Sequence, residues 1–317
     1  MRDHNPGPVL PPGPRSPGSL RSIRAANAVL WTSRGSVYEG SKSNLGGGLK
    51  ASRRIGKQAD HAMKDDTAPA IVTAGLLVIG DEILSGRTKD KNIGYIAEYL
   101  TGIGIDLREV RVVADDADAI VEALNALRVR YTYVFTTGGI GPTHDDITAD
   151  SVAKAFGVAI DYDPRVVALL KERYAAMGTE LNAARMRMTR VPKGAELVPN
   201  KVSAAPGFWI GNVIVMAGVP SIMQAMLDEV APQLRTGIKM LSETIRADCR
   251  EGDVGTELGE IAQSHPDVMV GSYPFMDARG PNTHIVVRGR DPARLAAAKA
   301  AIEDMLERVR ARLAAPG

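Results

Sequence analysis

The chain has 317 residues, 44% hydrophobic and 24% charged, with a formal net charge of +2 and a single cysteine. That composition suits a soluble globular protein with room for two domains and excludes fibrous and wholly disordered classes. No stretch approaches the ~18 consecutive apolar residues that span a bilayer, and no charged-then-apolar N-terminal signal is present, so a cytoplasmic protein without membrane partners is expected. The lone Cys249 has no partner for an internal disulfide and no neighbour at zinc-ligand spacing, and is read as a core or surface thiol.

The charge is unevenly spread. Residues 1–62 hold ten Lys and Arg against three Asp and Glu, which leaves the remainder acidic on balance. This segment contains "NPGPVLPPGPRSPGS" and "NLGGG", compositions that bury too little apolar surface to offset the entropy of ordering a chain. Residues 1–67 are therefore expected to be a disordered Pro/Gly/Arg-rich extension. Six prolines in the first seventeen residues argue against an amphipathic transit helix, and Met63 is a candidate start of the folded protein. Without interleaved aromatics the extension is not expected to bind nucleic acid.

From residue 70 the pattern is regular. "AIVTAGLLVIG" is a continuous apolar run of strand length, as in a strand buried on both faces. Ile93, Ile96, Ala97 and Leu100 fall at helical spacing, with Gly102 read as the C-cap. A strand near "LREVRVV", a helix carrying Ile120, Val121, Leu124 and Leu127, and the strand "YVFTT" follow. Helices are expected from Thr148 and from Asp163-Pro164, an N-cap followed by proline at the first helical position. Residues 189–217 read as β-hairpins ending in the core strand "NVIVMA", before a helix at Pro220 and Ser221 whose Met223, Met226 and Leu227 are core.

This alternation gives the fold class, an α/β protein with a three-layer α/β/α domain over 68–235 and a mostly parallel sheet. Residues 236–317 read as a small α+β domain: strand 243–248, helix 254–264, strands 268–272 and 284–288, and helix 292–312. Its "VVRGRD" offers little positive charge and no stacking aromatics, so an RNA-binding reading is set aside.

Ligands of doubly wound sheets bind where strand C-terminal ends feed loops and helix N-termini. Three loops have that position: "GDEILSG", "GGIGPTHDDIT" and "AGVPS". In the second, Gly138, Gly139 and Gly141 allow backbone amides to approach a phosphate, and Pro142 fixes the chain. A carboxylate beside a phosphate repels it unless a divalent cation bridges the two, so Asp145 and Asp146 point to a metal-phosphate site. Asp81 and Glu82, at a neighbouring strand end, supply a further ligand or a base for water. Against this stands the plainer reading that one of the two aspartates caps the next helix. Asn92 has the same two readings, ligand or cap, and His144 reads as a solvated loop residue.

The stretches "GDEILSGRTKDKN", "TTGGIGPTHDDIT", "VPKGAELV", "APGF" and "GVPSIMQAM" resemble the competence/damage-inducible protein A (CinA) family, in its N-terminal molybdopterin-binding-like domain. "GSYPF" at 271–275 is similar to the smaller domain that follows it. The resemblance implies the three-layer fold, a site at the three loops, and metal-dependent pyrophosphatase activity on a nucleoside-diphosphate compound such as ADP-ribose. It places Asp81, Glu82, Asn92, Thr137, Gly138, Gly139, Gly141, Pro142, Thr143, Asp145, Asp146 and Gly218 at the site. Glu82 and Asp146 carry catalysis, and Asp145 with Asp146 hold Mg, Mn or Co. The alternative is a non-hydrolytic molybdopterin or nucleotide binding module linked to molybdenum cofactor metabolism. Either way the partner is a small phosphorylated ligand, nucleotide or pterin, and a homo-oligomer is expected. Two departures stand out: Ala217 and Ile222 replace a proline and an acid of the family pattern, and no stretch resembles the deamidase domain, so deamidase activity is not expected.

Overall fold

The computed structural model describes residues 71–315; the extension and Met63 lie outside the described residues. In chain order the elements are β1 (Val72–Ile79), α1 (Asp81–Leu84), α2 (Asn92–Gly102), β2 (Ile105–Val113), α3 (Ala117–Arg128), β3 (Tyr133–Thr137) and α4 (Thr148–Phe156). They continue with β4 (Ile160–Tyr162), α5 (Pro164–Ala176), α6 (Ala183–Met186), β5 (Arg190–Pro192), β6 (Glu196–Val198), β7 (Gly207–Ile210), β8 (Val213–Met216) and α7 (Pro220–Val230). The last are β9 (Leu241–Arg246), α8 (Glu251–Ser264), β10 (Met269–Asp277), β11 (Gly280–Gly289) and α9 (Pro292–Ala314).

Six strands form one sheet in the order β2-β1-β3-β8-β7-β6, with β2, β1, β3 and β8 parallel, β7 antiparallel to β8, and β6 antiparallel to β7. β1 shows why its sequence is apolar throughout. Leu76 and Val78 pack with Ile96 and Leu100 of α2 and Met223, Met226 and Leu227 of α7 on one face. Leu77 and Ile79 pack with Ile120 and Leu124 of α3, Val152 of α4 and Leu170 of α5 on the other. Successive side chains enter opposite cores, so neither parity can be polar. The chain leaves β1 toward β2 on one side and returns to β3 on the other, which opens a crevice at the strand C-terminal ends.

Residues 241–314 build their own antiparallel sheet, β10-β11-β9, backed by α8 and α9. Leu295, Ala298, Ile302, Met305 and Val309 form the buried stripe of α9 against Ile285 and Val287. The β10–β11 hairpin runs from Met269 to Gly289, longer at both inner ends than the sequence pattern indicates. Cys249 is buried here, and burial pushes its thiol up. Among the described residues no helix is long and apolar enough to cross a membrane.

Two local readings are corrected. Gly102 is the last residue of α2 rather than its cap. The left-handed position is Gly104 (φ 82°), where a Cβ would stand 2.3 Å from the Gly237 carbonyl oxygen. Asn92 does not cap α2 either: the Asp90 carboxylate accepts the Asn92 and Ile93 amides at 3.0 and 2.7 Å.

Candidate functional site

Parallel pairing brings the C-terminal ends of β1, β3 and β8 side by side, so the loops after them meet. Gly138 lies at the crossing. It adopts φ 105°, its amide donates to the Met216 carbonyl at 3.3 Å, and a Cβ on it would stand 2.0 Å from the Ile79 carbonyl oxygen. Gly218 approaches from β8, its Cβ position 3.2 Å from the Gly138 Cα. At Gly139, φ 67°, a Cβ would lie 2.2 Å from Thr148 Oγ1. Thr148 in turn donates its hydroxyl to the Gly138 carbonyl and its amide to the Gly139 carbonyl, both at 3.0 Å. The glycines are thus required by chain packing on chain, a different reason from the ligand approach that the sequence suggests.

The loops enclose a cavity of about 520 Å³. Glu82, Gly138, Gly139, Gly141, Pro142, Asp146 and Gly218 line it, together with Asn200 and Ser203 from the far side and an apolar wall that includes Ile140, Val219 and Ile222. Five expected residues do not line it. Asn92, only 4% exposed, donates Nδ2 to the Gly218 carbonyl at 2.8 Å, and its Oδ1 is buried without a partner among the described residues. Thr137 is buried at the end of β3, its hydroxyl also unpartnered. Asp81 and Asp145 point to solvent, as does His144. Thr143 serves Asp146, whose Oδ2 accepts the Thr143 amide and hydroxyl at 2.7 and 2.6 Å. Neither aspartate caps α4, which begins after Ile147 without a side-chain cap.

Of the loop's amides, those of Gly138 and Thr143 are occupied by protein acceptors, whereas those of Gly139, Ile140 and Gly141 have none among the described residues. Arg187 clamps the loop from outside, donating Nε to the Thr143 carbonyl at 3.0 Å and an Nη to the Asp146 carbonyl at 3.2 Å. It lies 41 residues from Asp146, so local pattern gave no signal for it.

The reading of the sequence also missed Asp115. This residue follows β2, the fourth parallel strand end, and its Oδ2 accepts the Asp81 amide at 2.9 Å. Burial pushes its carboxyl above the usual carboxylate range, and the charges of Asp81, Glu82 and Asp145 add to the rise against the pull of the Asp81 amide. Its signal was present in "VVADD", but Asp116 beside it is the N-cap of α3, and the pair passes for capping alone. Among the described residues no group of three or more His, Cys, Asp or Glu is placed to hold a metal ion.

Residues 75–236, just over half of the chain, match the family model described as "Probable molybdopterin binding domain". Residues 239–312 match "FAD synthase, middle domain". Among curated relatives, a "Probable FAD synthase" of Caenorhabditis elegans is 29% identical over 75% of this chain and 50% of its own length. A "CinA-like protein" of Gemmatimonas aurantiaca is 33% identical over 59% of this chain and 47% of its own. The chain therefore spans about half the length of both. A crystal structure of the protein CinA from Thermoplasma acidophilum, titled as of unknown function, is 34% identical over 51% of this chain and 96% of that one, with a TM-score of 0.48. The chain belongs to the family described as "Probable molybdopterin binding domain".

Proposed function

We propose that the cavity binds the diphosphate of a nucleotide and hydrolyses it with a divalent cation, Mg, Mn or Co, with ADP-ribose as the first compound to test. The observation that carries this reading is the convergence of Glu82 and Asp146 with the Gly139–Gly141 loop on one cavity of about 520 Å³, large enough for a nucleotide. The residues fit a cation that arrives with phosphate oxygens. Asp146 keeps Oδ1 for a cation while Oδ2 is held by Thr143. They do not form an all-protein cage.

Asp146, joined by Asp145 on turning inward from solvent, would hold the cation, which would neutralise phosphate charge and acidify a coordinated water. The amides of Gly139, Ile140 and Gly141 donate to phosphate oxygens, and Glu82 accepts a proton from the attacking water. The apolar wall at Val219 and Ile222 offers a surface for a ring of the substrate. A panel of ADP-ribose, FAD and nucleoside diphosphate sugars, each with Mg²⁺, Mn²⁺ and Co²⁺, followed by phosphorus NMR, tests the proposal. Loss of the diphosphate signals with growth of monophosphate supports it; an unchanged spectrum with every metal defeats it.

A second reading is favoured by the engagement of Asp146 Oδ2 with two donors of Thr143, a tie that suits a fixed scaffold. Here the cavity binds a molybdopterin or nucleotide phosphate without cleaving it. Stoichiometric binding with no product in the same panel distinguishes the two.

A further inference from the structure

A second recess lies between β2, the edge of the six-stranded sheet, and β11 of the smaller sheet. It consists of two adjoining cavities of about 350 and 140 Å³ that share Arg108, Met240, Met269 and Arg288 as walls. Arg290 and Arg294 also line the larger part, so four arginines surround one space. It shares no lining residue with the cavity at the strand ends.

The carboxylates present are already committed. Asp106 is shared by Arg108 at 2.7 Å and Arg290 at 2.5 Å, while Asp267 and Asp291 both pair with Arg294. Arg288, which lines both parts, has no acidic partner among the described residues. Planar guanidinium groups match phosphate oxygens through their fixed fork of donors. Met240 and Met269 offer a soft apolar surface beside the cations.

We propose that this recess is a binding site for a phosphate monoester of mononucleotide size, its phosphate held by Arg108, Arg288 and Arg290 and its ring lying on Met240 and Met269. An inorganic phosphate would satisfy the arginines but leave most of the larger cavity unfilled. Because the walls come from both sheets, the ligand braces the two against each other.

The test uses the full chain with its methionine methyl groups labelled with carbon-13, the resonances of Met240 and Met269 being assigned through Met→Leu variants. Met188, on the wall of the first cavity, reports separately on that site. AMP should shift Met240 and Met269 saturably. Adenosine and inorganic phosphate should each need at least tenfold higher concentration for the same shift. Arg288→Gln and Arg108→Gln, melting within about 2 °C of the parent, should each weaken AMP at least tenfold. The proposal is overturned if AMP moves neither resonance, if adenosine or phosphate alone matches AMP, or if both variants keep the parent affinity.

Discussion

Gly138→Ala separates the two reasons a glycine can stand in a ligand loop. At φ 105° an L-residue is strained by about 1–2 kcal/mol. The added Cβ would also stand 2.0 Å from the Ile79 carbonyl oxygen, a backbone atom fixed in β1 that cannot swing aside. Overpacking of that kind costs about 1–3 kcal/mol, against which the stiffer unfolded chain returns about 0.4–1 kcal/mol. The net loss is about 3 kcal/mol, and at roughly 2–4 °C per kcal/mol for a protein of this size the melting temperature should fall by about 6–12 °C. Gly141→Ala is the control. There the Cβ meets Asp146 Oδ2 at 2.6 Å, on a loop side chain that can turn aside at the cost of its two Thr143 hydrogen bonds, at a residue without positive φ. It should melt within about 3 °C of the parent. Both are read by thermal unfolding of the full chain followed by circular dichroism. If Gly138→Ala melts within 2 °C of the parent, the account of the loop crossing is wrong.

Asn92→Ala removes the buried Nδ2 donor that holds the Gly218 carbonyl, so it should cost about 0.5–1.5 kcal/mol and loosen the "AGVPS" loop, seen as a lower melting temperature and faster amide exchange after β8. Asp115 has its carboxyl raised by burial, so the neutral form is the one the fold favours. The stability it contributes is fully present below the ordinary carboxylate range and is lost as pH rises through the raised value. Asp115→Asn, which keeps an acceptor for the Asp81 amide, should therefore melt above the parent at neutral pH and converge with it in acid. A parent that gains on the variant as pH rises would contradict the sign.

How much was legible depended on how local the cause was. The buried strands and the helices at Thr148 and Asp163 follow from periodicity and capping within a few residues, and the parallel order follows from their alternation. "GDEILSG" reads as a loop because a single helical turn such as α1 is too short to show a period. The inner ends of β10 and β11 escape notice because their residues, Tyr273 and Met276 among them, stand exposed on an open face and lack an apolar rhythm. At the site the glycines and the two aspartates are visible in sequence, but not their partners. Ile79, Thr148, Arg187 and Asn200 reach the loop only through sheet pairing and long-range packing. Asn92 was visible as special and its direction was not, because nothing local shows that it faces Gly218.

The most direct measurement is turnover of ADP-ribose at limiting divalent cation by Asp146→Asn and Asp145→Asn beside the parent. Asparagine preserves the size of each side chain and an acceptor for Thr143, so both variants should stay folded, as a melting curve shows. If the carboxylates hold a cation against phosphate, Asp146→Asn should lose at least tenfold in rate, or about 1.4 kcal/mol, and recover part of it as cation concentration is raised. If the parent is active and both variants keep its full rate at limiting cation, the carboxylates are structural and the proposed mechanism fails.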